Sequence, residues 1–533
     1  MAAREPLFLA SLACAPEARP AQNMTRLRLG TRGSLLATAQ SRLVATALQR
    51  LHPQLTVELV PVSTRGDRNL DTPLQDVQDP DFFSAELDEA LLAGAVDFCV
   101  HSLKDLPPAR PPGLVTAALP LRENSRDVIL WRGDVPARLA AGELIRVGSS
   151  SPRRQGNVLD FLAYGLPANR RPPDIELLPV RGAVDVRLAR LACPRADAVA
   201  VDGLVLALAG LARLWNDVDG RAALQPLLQD LRWMVLPLSK CPAAPGQGVL
   251  AVECRVGDAG VGGLLRGLHD PETAELVALE ELAVGSTDRS DRPALGVTAI
   301  RHGELGPVCF VRGAVAGGVI ERLDWNRPAA PRGALGFDGI AWQRLCTRQA
   351  ATPRPQLGGL GVKAAVFAAY WHAVQDQTLP AGARLWVSGV ESWRQLAARG
   401  LWVEGCGDNL GFADVRATLE CPVLGLPPLR DWTALTSSWA VPGWQDSGVG
   451  QVWSTYDILP PGDESQLRVV REAAAQATHF YWSSPEQFHA LREALPASAR
   501  HACGAGKTLR ALRAAGTDAQ PFPNGREWHR WLQ

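Results

Sequence analysis

The chain of 533 residues carries 55 lysines and arginines against 55 aspartates and glutamates, so its formal net charge is zero, and 47% of it is apolar. That length exceeds what one hydrophobic core supports and predicts three to four domains; neutrality excludes the basic excess by which nucleic-acid binders displace counterions, so any anionic ligand must meet local clusters of arginine. No apolar run reaches the length that spans a bilayer, and ten scattered cysteines without C-x-x-C or metal-ligand spacing read as reduced thiols of a cytoplasmic protein without a metal centre.

Residues 1–24 hold a short apolar stretch after one arginine, and a disordered extension is expected there, with Met24 opening the folded chain. Arg26 to Leu29 reads as a strand. It runs into Gly30-Thr31-Arg32-Gly33-Ser34 and an amphipathic helix over 35–51, which places hydroxyls and amides at a helix N-terminus, where anions bind. A plain capped helix shows the same pattern; Arg32 favours the anion site. A polar loop, Ser63-Thr64-Arg65-Gly66-Asp67, precedes a helix expected from about Phe82 to Ala93.

The apolar run Val96 to Val100 predicts a buried strand that ends in His101-Ser102-Leu103-Lys104-Asp105-Leu106-Pro107. Strand ends are where α/β folds place chemistry. Lys104 supplies a cation for an acid group, and Asp105 a carboxylate that can steady positive charge on a nitrogen ring; a solvated turn has the same composition. A second α/β unit starts near Arg122, and its strand end Val147 to Ser151 leads into Pro152-Arg153-Arg154. Guanidinium pairs with carboxylate through parallel hydrogen bonds, although a solvated helix start fits this segment equally. The strand Ile175 to Val180, the loop Arg181-Gly182, a helix with Arg187 and Arg190, and an apolar run reaching Arg213 repeat the theme. The turn-rich Pro242 to Gly248 and the strand Val249 to Val252 then suggest two lobes facing across a cleft.

From about Pro355 the pattern restarts. Leu385 to Val390 and Thr478 to Ser484 read as strands, Trp393 to Arg399 and Thr508 to Ala515 as helices, and Val452 to Ile458 as an extended link, giving two further α/β lobes. Gly504-Ala505-Gly506-Lys507-Thr508 is not a phosphate-binding P-loop, because His501 stands where that motif needs its first glycine. Tryptophans such as Trp386, Trp393, Trp402, Trp453 and Trp482 read as core.

Seven segments together resemble the hydroxymethylbilane synthase (porphobilinogen deaminase) family: Gly30 to Ala37, Arg65-Gly66-Asp67 with Asp71-Thr72-Pro73-Leu74, Val100 to Pro107, Ser150 to Gln155, Arg181-Gly182 with Arg187-Leu188, Ala209 to Leu214, and Pro242 to Gly248. The resemblance implies an α/β fold of two periplasmic-binding-protein-like lobes plus a small α/β third domain. Lobe 1 would hold 25–121 and 216–256, lobe 2 would hold 122–215, and the third domain 257–350. It implies deamination and head-to-tail joining of four porphobilinogens into a linear bilane, with Asp105 catalytic. Arg32, Ser34, Lys104, Ser150, Ser151, Arg153, Arg154, Arg181, Arg187 and Arg213 would bind acid groups.

The family's dipyrromethane cofactor hangs on a cysteine thioether. Here Asp291 occupies the expected cysteine position, with Arg289 and Ser290 in place of two glycines, and Pro80 and Ala85 stand where the family commonly has lysines. Residues 355–533 resemble, more faintly, uroporphyrinogen-III synthase, through Phe480 to Pro485 and Gly504 to Thr508; Tyr456, Ser483, Ser484 and Thr508 would be its site residues. A fusion of successive enzymes of tetrapyrrole synthesis follows from the two resemblances. Because the anchoring cysteine is missing, two alternatives stand beside it: a non-catalytic paralogue that binds pyrrole intermediates, or a chain active only in its C-terminal cyclase. No membrane partner is expected.

Overall fold

A computed structural model describes residues 24–63, 84–107, 109–167 and 171–533. The N-terminal extension, the Arg65-Gly66-Asp67 and Asp71-Thr72-Pro73-Leu74 motifs, Pro80 and Phe82 lie outside them. Of the described residues, those up to 163, 171–300 and 309–323 make one compact unit; 164–167, 301–308 and 324–533 make another. Among the described residues no helix is long and apolar enough to cross a membrane.

The first unit is mixed α/β. It begins β1 (Arg26–Thr31), α1 (Leu35–Leu51), β2 (Thr56–Pro61), α2 (Ala85–Leu92), β3 (Phe98–Ser102) and β4 (Leu114–Ala118). Leu27 and Leu29 alternate inward from β1 onto Val44, Ala45 and Leu48 of α1, so two periodicities meet in one core. At the start of α1 the Ser34 hydroxyl accepts from the Ala37 amide (3.3 Å), satisfying a donor the helix leaves open. Gly30 lets β1 lie close to β3: a Cβ there would sit 2.8 Å from the Cys99 sulfur.

Next come β5 (Asp127–Trp131), β6 (Ile145–Gly148), α3 (Pro152–Gly165), β7 (Ile175–Leu178), α4 (Val184–Ala189), β8 (Gly203–Ala207), α5 (Leu208–Asn216) and β9 (Arg232–Val235). They form a second sheet in the order β7-β6-β8-β5-β9. The chain then returns as β10 (Leu250–Arg255), antiparallel to both β3 and β4, completing a first sheet of order β2-β1-β3-β10-β4. After α6 (Ala259–Leu265) and α7 (Pro271–Gly285), a third sheet holds β11 (Leu295–His302), β12 (Gly306–Val315) and β13 (Gly318–Trp325). Leu276 and Ala283 of α7 share a core there with Leu295, Val297, Ala299, Cys309 and Val311.

Glu280 of α7 is fully buried and binds the two crossings between the first two sheets. It pairs with Arg122 (2.7 Å) and accepts from the amides of Gly246 and Ala299 (both 2.7 Å). With its oxygens met by a cation and amides, this carboxylate escapes the cost of an uncompensated buried charge.

Three boundaries differ from those read in the sequence. β9 pairs antiparallel with β5, so the second sheet extends past residue 215. Helix α6 sends Val261, Leu264 and Leu265 into the first-lobe core, which therefore reaches beyond residue 256. The stretch 336–350 supplies strands to the C-terminal unit and not to the third domain.

Those strands are β14 (Gly336–Phe337) and β15 (Thr347–Ala350), followed by β16 (Ala365–Ala368), β17 (Arg384–Val387), β18 (Gly405–Cys406), β19 (Trp432–Ser437), β20 (Gln451–Leu459), β21 (His479–Trp482), β22 (Arg500–Gly504) and β23 (Ala519–Phe522). They form two sheets, β14-β21-β22-β23 and β15-β20-β19-β16-β17-β18. The segment read as an extended link, around Val452 to Ile458, is an inner strand of the second of these, parallel to β19 and antiparallel to β15. Trp386, Trp393, Trp432, Trp482 and Trp528 are fully buried.

Candidate functional site

One cavity of about 880 Å³ in the first unit is lined from the C-terminal ends of strands in both of its larger sheets. That is where ligands enter α/β sheets, because strands stop there and loops and helix starts converge. The end of β1 contributes Arg32 and Ser34, and the end of β3 contributes Lys104 and Asp105. From β6 and the first turn of α3 come Ser150, Ser151, Arg153 and Arg154; the β7–α4 connection and α4 add Arg181 and Arg187, and α5 adds Arg213. The eleven first-unit residues read in the sequence as catalytic or acid-binding all line this cavity, whereas Arg190 and Asp291 do not.

Their hydrogen bonds separate wall from tool. Ser150 is wall: its hydroxyl donates to the Val180 carbonyl (2.9 Å) and accepts from the Val180 amide (2.8 Å), tying the ends of β6 and β7 together. Arg187 donates to the Gly182 carbonyl (2.6 Å) and Arg213 to that of Gly248 (2.6 Å), which aims both guanidinium groups while leaving further N–H donors. Burial pushes both down to about 10, with Arg154 adding to the effect on Arg187 and Asp105 opposing it. Either arginine remains charged at neutral pH.

Two residues of the site carried no role in the sequence reading. Asp127, at the start of an otherwise apolar β5, is fully buried; Arg154 grips it through two nitrogens (2.7 and 3.1 Å) and Arg153 through one (3.0 Å). Burial alone would raise its pKa, but Arg154 and Arg153 outweigh burial and hold it well below the usual carboxylate range. Gln247 donates to Asp127 (2.8 Å) and to the Ser125 carbonyl (2.8 Å), and accepts from Lys104 (3.1 Å). A carboxylate opening a strand of five buried residues signals a partnered charge; the glutamine, inside the turn-rich motif, offers no such signal.

Lys104 and Asp105 are both exposed within the cavity, but protein closes around the Lys104 ammonium. This desolvation pushes Lys104 down to about 8, opposed by Asp105 and reinforced by Arg154 and Arg153. Behind them His101 is buried, 3.6 Å from Glu253; burial pushes it to about 4, against the pull of Glu253, so it is neutral at physiological pH. Arg110 completes this layer, bonded to Asp88 (2.6 Å) and Glu253 (2.8 Å).

Along the described lining, seven basic side chains face one carboxylate, Asp105. Such a surface suits a ligand with several acid groups and one centre of positive charge.

In the C-terminal unit, α8 (Pro485–Leu491) is capped by Ser484, whose hydroxyl accepts from Gln487, and α9 (Lys507–Ala514) carries Thr508 in its first turn. Tyr456 is buried in β20, and burial pushes it up to about 12. Ser483 is bonded to Gln343 and Gln487.

A family model described as "Porphobilinogen deaminase, dipyromethane cofactor binding domain" matches residues 27–262. A porphobilinogen deaminase of Syntrophotalea carbinolica is 40% identical over 255 residues, 48% of this chain and 72% of that protein. Another from Sorangium cellulosum is 40% identical over 280 residues, 52% of this chain and 84% of that protein. A third, from Roseiflexus castenholzii, is 36% identical over 308 residues, 58% and 92% of the two chains.

The cofactor named in that description is a dipyrrole with acid side chains, and the basic lining fits those acids. It does not fit a thioether. Among the described residues no cysteine lines the cavity: Cys241 is buried with its thiol 3.5 Å from the Asn157 carbonyl, Cys254 lies in the first core, and Cys309 lies in the core under the third sheet. Asp291 sits in a half-buried turn between α7 and β11, outside the lining.

Proposed function

The chain belongs to the porphobilinogen deaminase family, and on that premise we propose that its first unit deaminates porphobilinogens and joins them head to tail into a linear bilane. Two lobes of the periplasmic-binding-protein type, closing on the ligand from either side, are part of this reading. The observation that carries it is the gathering, among the described residues, of seven cations around a single carboxylate, Asp105, at one set of strand ends.

Each substrate pyrrole brings an acetate and a propionate. Arg181, Arg187, Arg213 and Lys104 bind these groups, and Arg153 and Arg154 present an edge stiffened by Asp127. The aminomethyl C–N bond breaks and the nitrogen leaves as ammonia, so positive charge spreads from the exocyclic carbon onto the ring nitrogen. Asp105 faces that charge in a cleft otherwise hostile to it, which is where a preorganised carboxylate lowers a barrier most. The α-carbon of a neighbouring pyrrole then attacks the exocyclic carbon, forming a C–C bond and losing its own proton.

The test is porphobilinogen consumption by the full chain with ammonia counted alongside. One ammonia per pyrrole is expected, and Asp105→Asn should slow turnover by about 10²–10³-fold. No ammonia release would leave a binding paralogue, the alternative already stated.

For the C-terminal unit the reading is ring closure of the linear product, of the uroporphyrinogen-III synthase type. It rests on the resemblance carried by Phe480 to Pro485 and Gly504 to Thr508, which the fold uses as the Ser484-capped start of α8 and the first turn of α9. Added linear bilane should be converted by the full chain to the ring with one pyrrole inverted, and Tyr456→Phe should slow this. Formation of only the uninverted ring would exclude it.

A further inference from the structure

Resting on that reading of the first unit, we propose that this chain holds its growing polypyrrole without a covalent bond, by ion pairs alone.

A thioether needs an accessible thiol. Among the described residues of the first unit, the half-buried Cys193 lies outside the cavity lining, and Cys241, Cys254 and Cys309 are buried. Cys241 and Cys254 are each 1% exposed and Cys309 4%. Burial pushes the Cys254 thiol up to about 11, with Asp258 adding to it. The turn that contains Asp291 brings no other strong nucleophile, and it does not reach the cavity lining.

The cavity is built to retain acids by charge. Seven basic side chains line it against Asp105, with Asp127 behind the arginines, leaving an excess of five positive charges among the described residues. A dipyrrole of this class carries four carboxylates. Nη1 of Arg181 and Nε of Arg213 are buried with no hydrogen-bond partner. Orphaned donors of this kind cost free energy unless a ligand meets them, and a carboxylate is the group that does so best. Retention by ion pairs has a chemical consequence. Once the chain carries more acids than the cleft has cations, the surplus rings lie in water, and the product departs by dissociation with no bond to hydrolyse.

The experiment uses the full chain incubated with porphobilinogen, its intact mass read under native and denaturing conditions at low salt and after exchange into 1 M NaCl. Expected are pyrrole-bearing species in the native spectrum, the unmodified sequence mass after denaturation, and about a tenfold loss of bound species in high salt, where ion pairs are screened. Arg181→Gln should lower the bound fraction, and Asp291→Ala should leave it unchanged. An adduct that survives denaturation, or one lost in Asp291→Ala, overturns the proposal while the deaminase reading stands. So does consumption of porphobilinogen with nothing bound. Absence of consumption and of ammonia overturns the deaminase reading itself, and this proposal with it.

Discussion

Lys104 donates to the side-chain oxygen of Gln247 at 3.1 Å, and because that glutamine's nitrogen is committed to Asp127, the amide cannot turn away. The bond links the end of β3 to the crossing that leads into β10, so Lys104 is fixed in place while its charge stays adjustable. With its pKa near 8, the free protein loses this cation as pH rises above 8. Binding of a pyrrole dicarboxylate that lacks an amine should weaken above pH 8, by up to about tenfold per pH unit if the neutral form contributes nothing. Lys104→Arg should flatten that limb, because guanidinium stays charged. An unchanged profile in Lys104→Arg would assign the limb to another group.

His101 should make the fold acid-sensitive. Burial pushes its pKa down to about 4 in the folded protein, from the ordinary 6.5 of an exposed imidazole. Between those values the unfolded chain binds the extra proton, so stability is present above pH 6.5 and is lost as pH falls toward 4. The facing charges are Glu253, Arg110, Arg32 and Asp105. Urea unfolding at pH 7 and pH 5 should show a loss of about 2 kcal/mol from this residue. In His101→Gln that share of the loss should vanish; equal losses in both proteins would assign it to other histidines.

Arg312 of β12 binds the helix that carries Arg153 and Arg154. It donates to the Asn157 side chain (2.8 Å) and to the Lys240 carbonyl (3.3 Å), and pairs with Asp160 and Glu321. Arg312→Leu should destabilise the protein by about 2 kcal/mol, less than a fully buried broken pair costs, because Asp160 and Glu321 are exposed enough to rehydrate. It should also raise KM for porphobilinogen more than it lowers kcat, since α3 would lose an anchor while Asp105 would not. Thermal unfolding and steady-state kinetics read the two effects separately.

Two helical glycines should respond with opposite signs to the same change. A Cβ at Gly156 of α3 would stand 2.9 Å from the Cβ of Ala314, whereas one at Gly285 of α7 meets nothing within 4 Å. Gly285→Ala should therefore stabilise by about 0.5–1 kcal/mol, the ordinary helix gain. Gly156→Ala should cost about 1–3 kcal/mol through overpacking. Denaturant midpoints for the two variants check this; a gain at Gly156 would show that β12 yields to the helix.

The strand ends and the basic residues on them were legible in the sequence, because each sits where an apolar run stops and a polar loop begins. Convergence on one cavity was implied by repetition of that pattern. Asp127 and Gln247 were not legible as partners: 120 residues separate them, and no local periodicity encodes which crossing a glutamine will face. The same holds for α6, whose apolar face is visible but whose destination in the first core is not. Strands as short as Gly336–Phe337 fall below any periodic signal, which is why the sequence boundary of the C-terminal unit came too late.

Strand β10 lies between β3 and β4, although Ala118 and Leu250 are 132 residues apart. The second sheet, by contrast, draws all of its strands from the stretch 127–235. As the nascent chain leaves the ribosome, the second lobe can therefore close first. The first must wait with β3 and β4 unpaired along the edges that β10 will fill, for on the order of ten seconds at ordinary rates of synthesis. Open strand edges recruit other strands. Production of this protein is thus most exposed to aggregation before residue 255 has emerged, and slower translation just upstream of β10 would lengthen that interval.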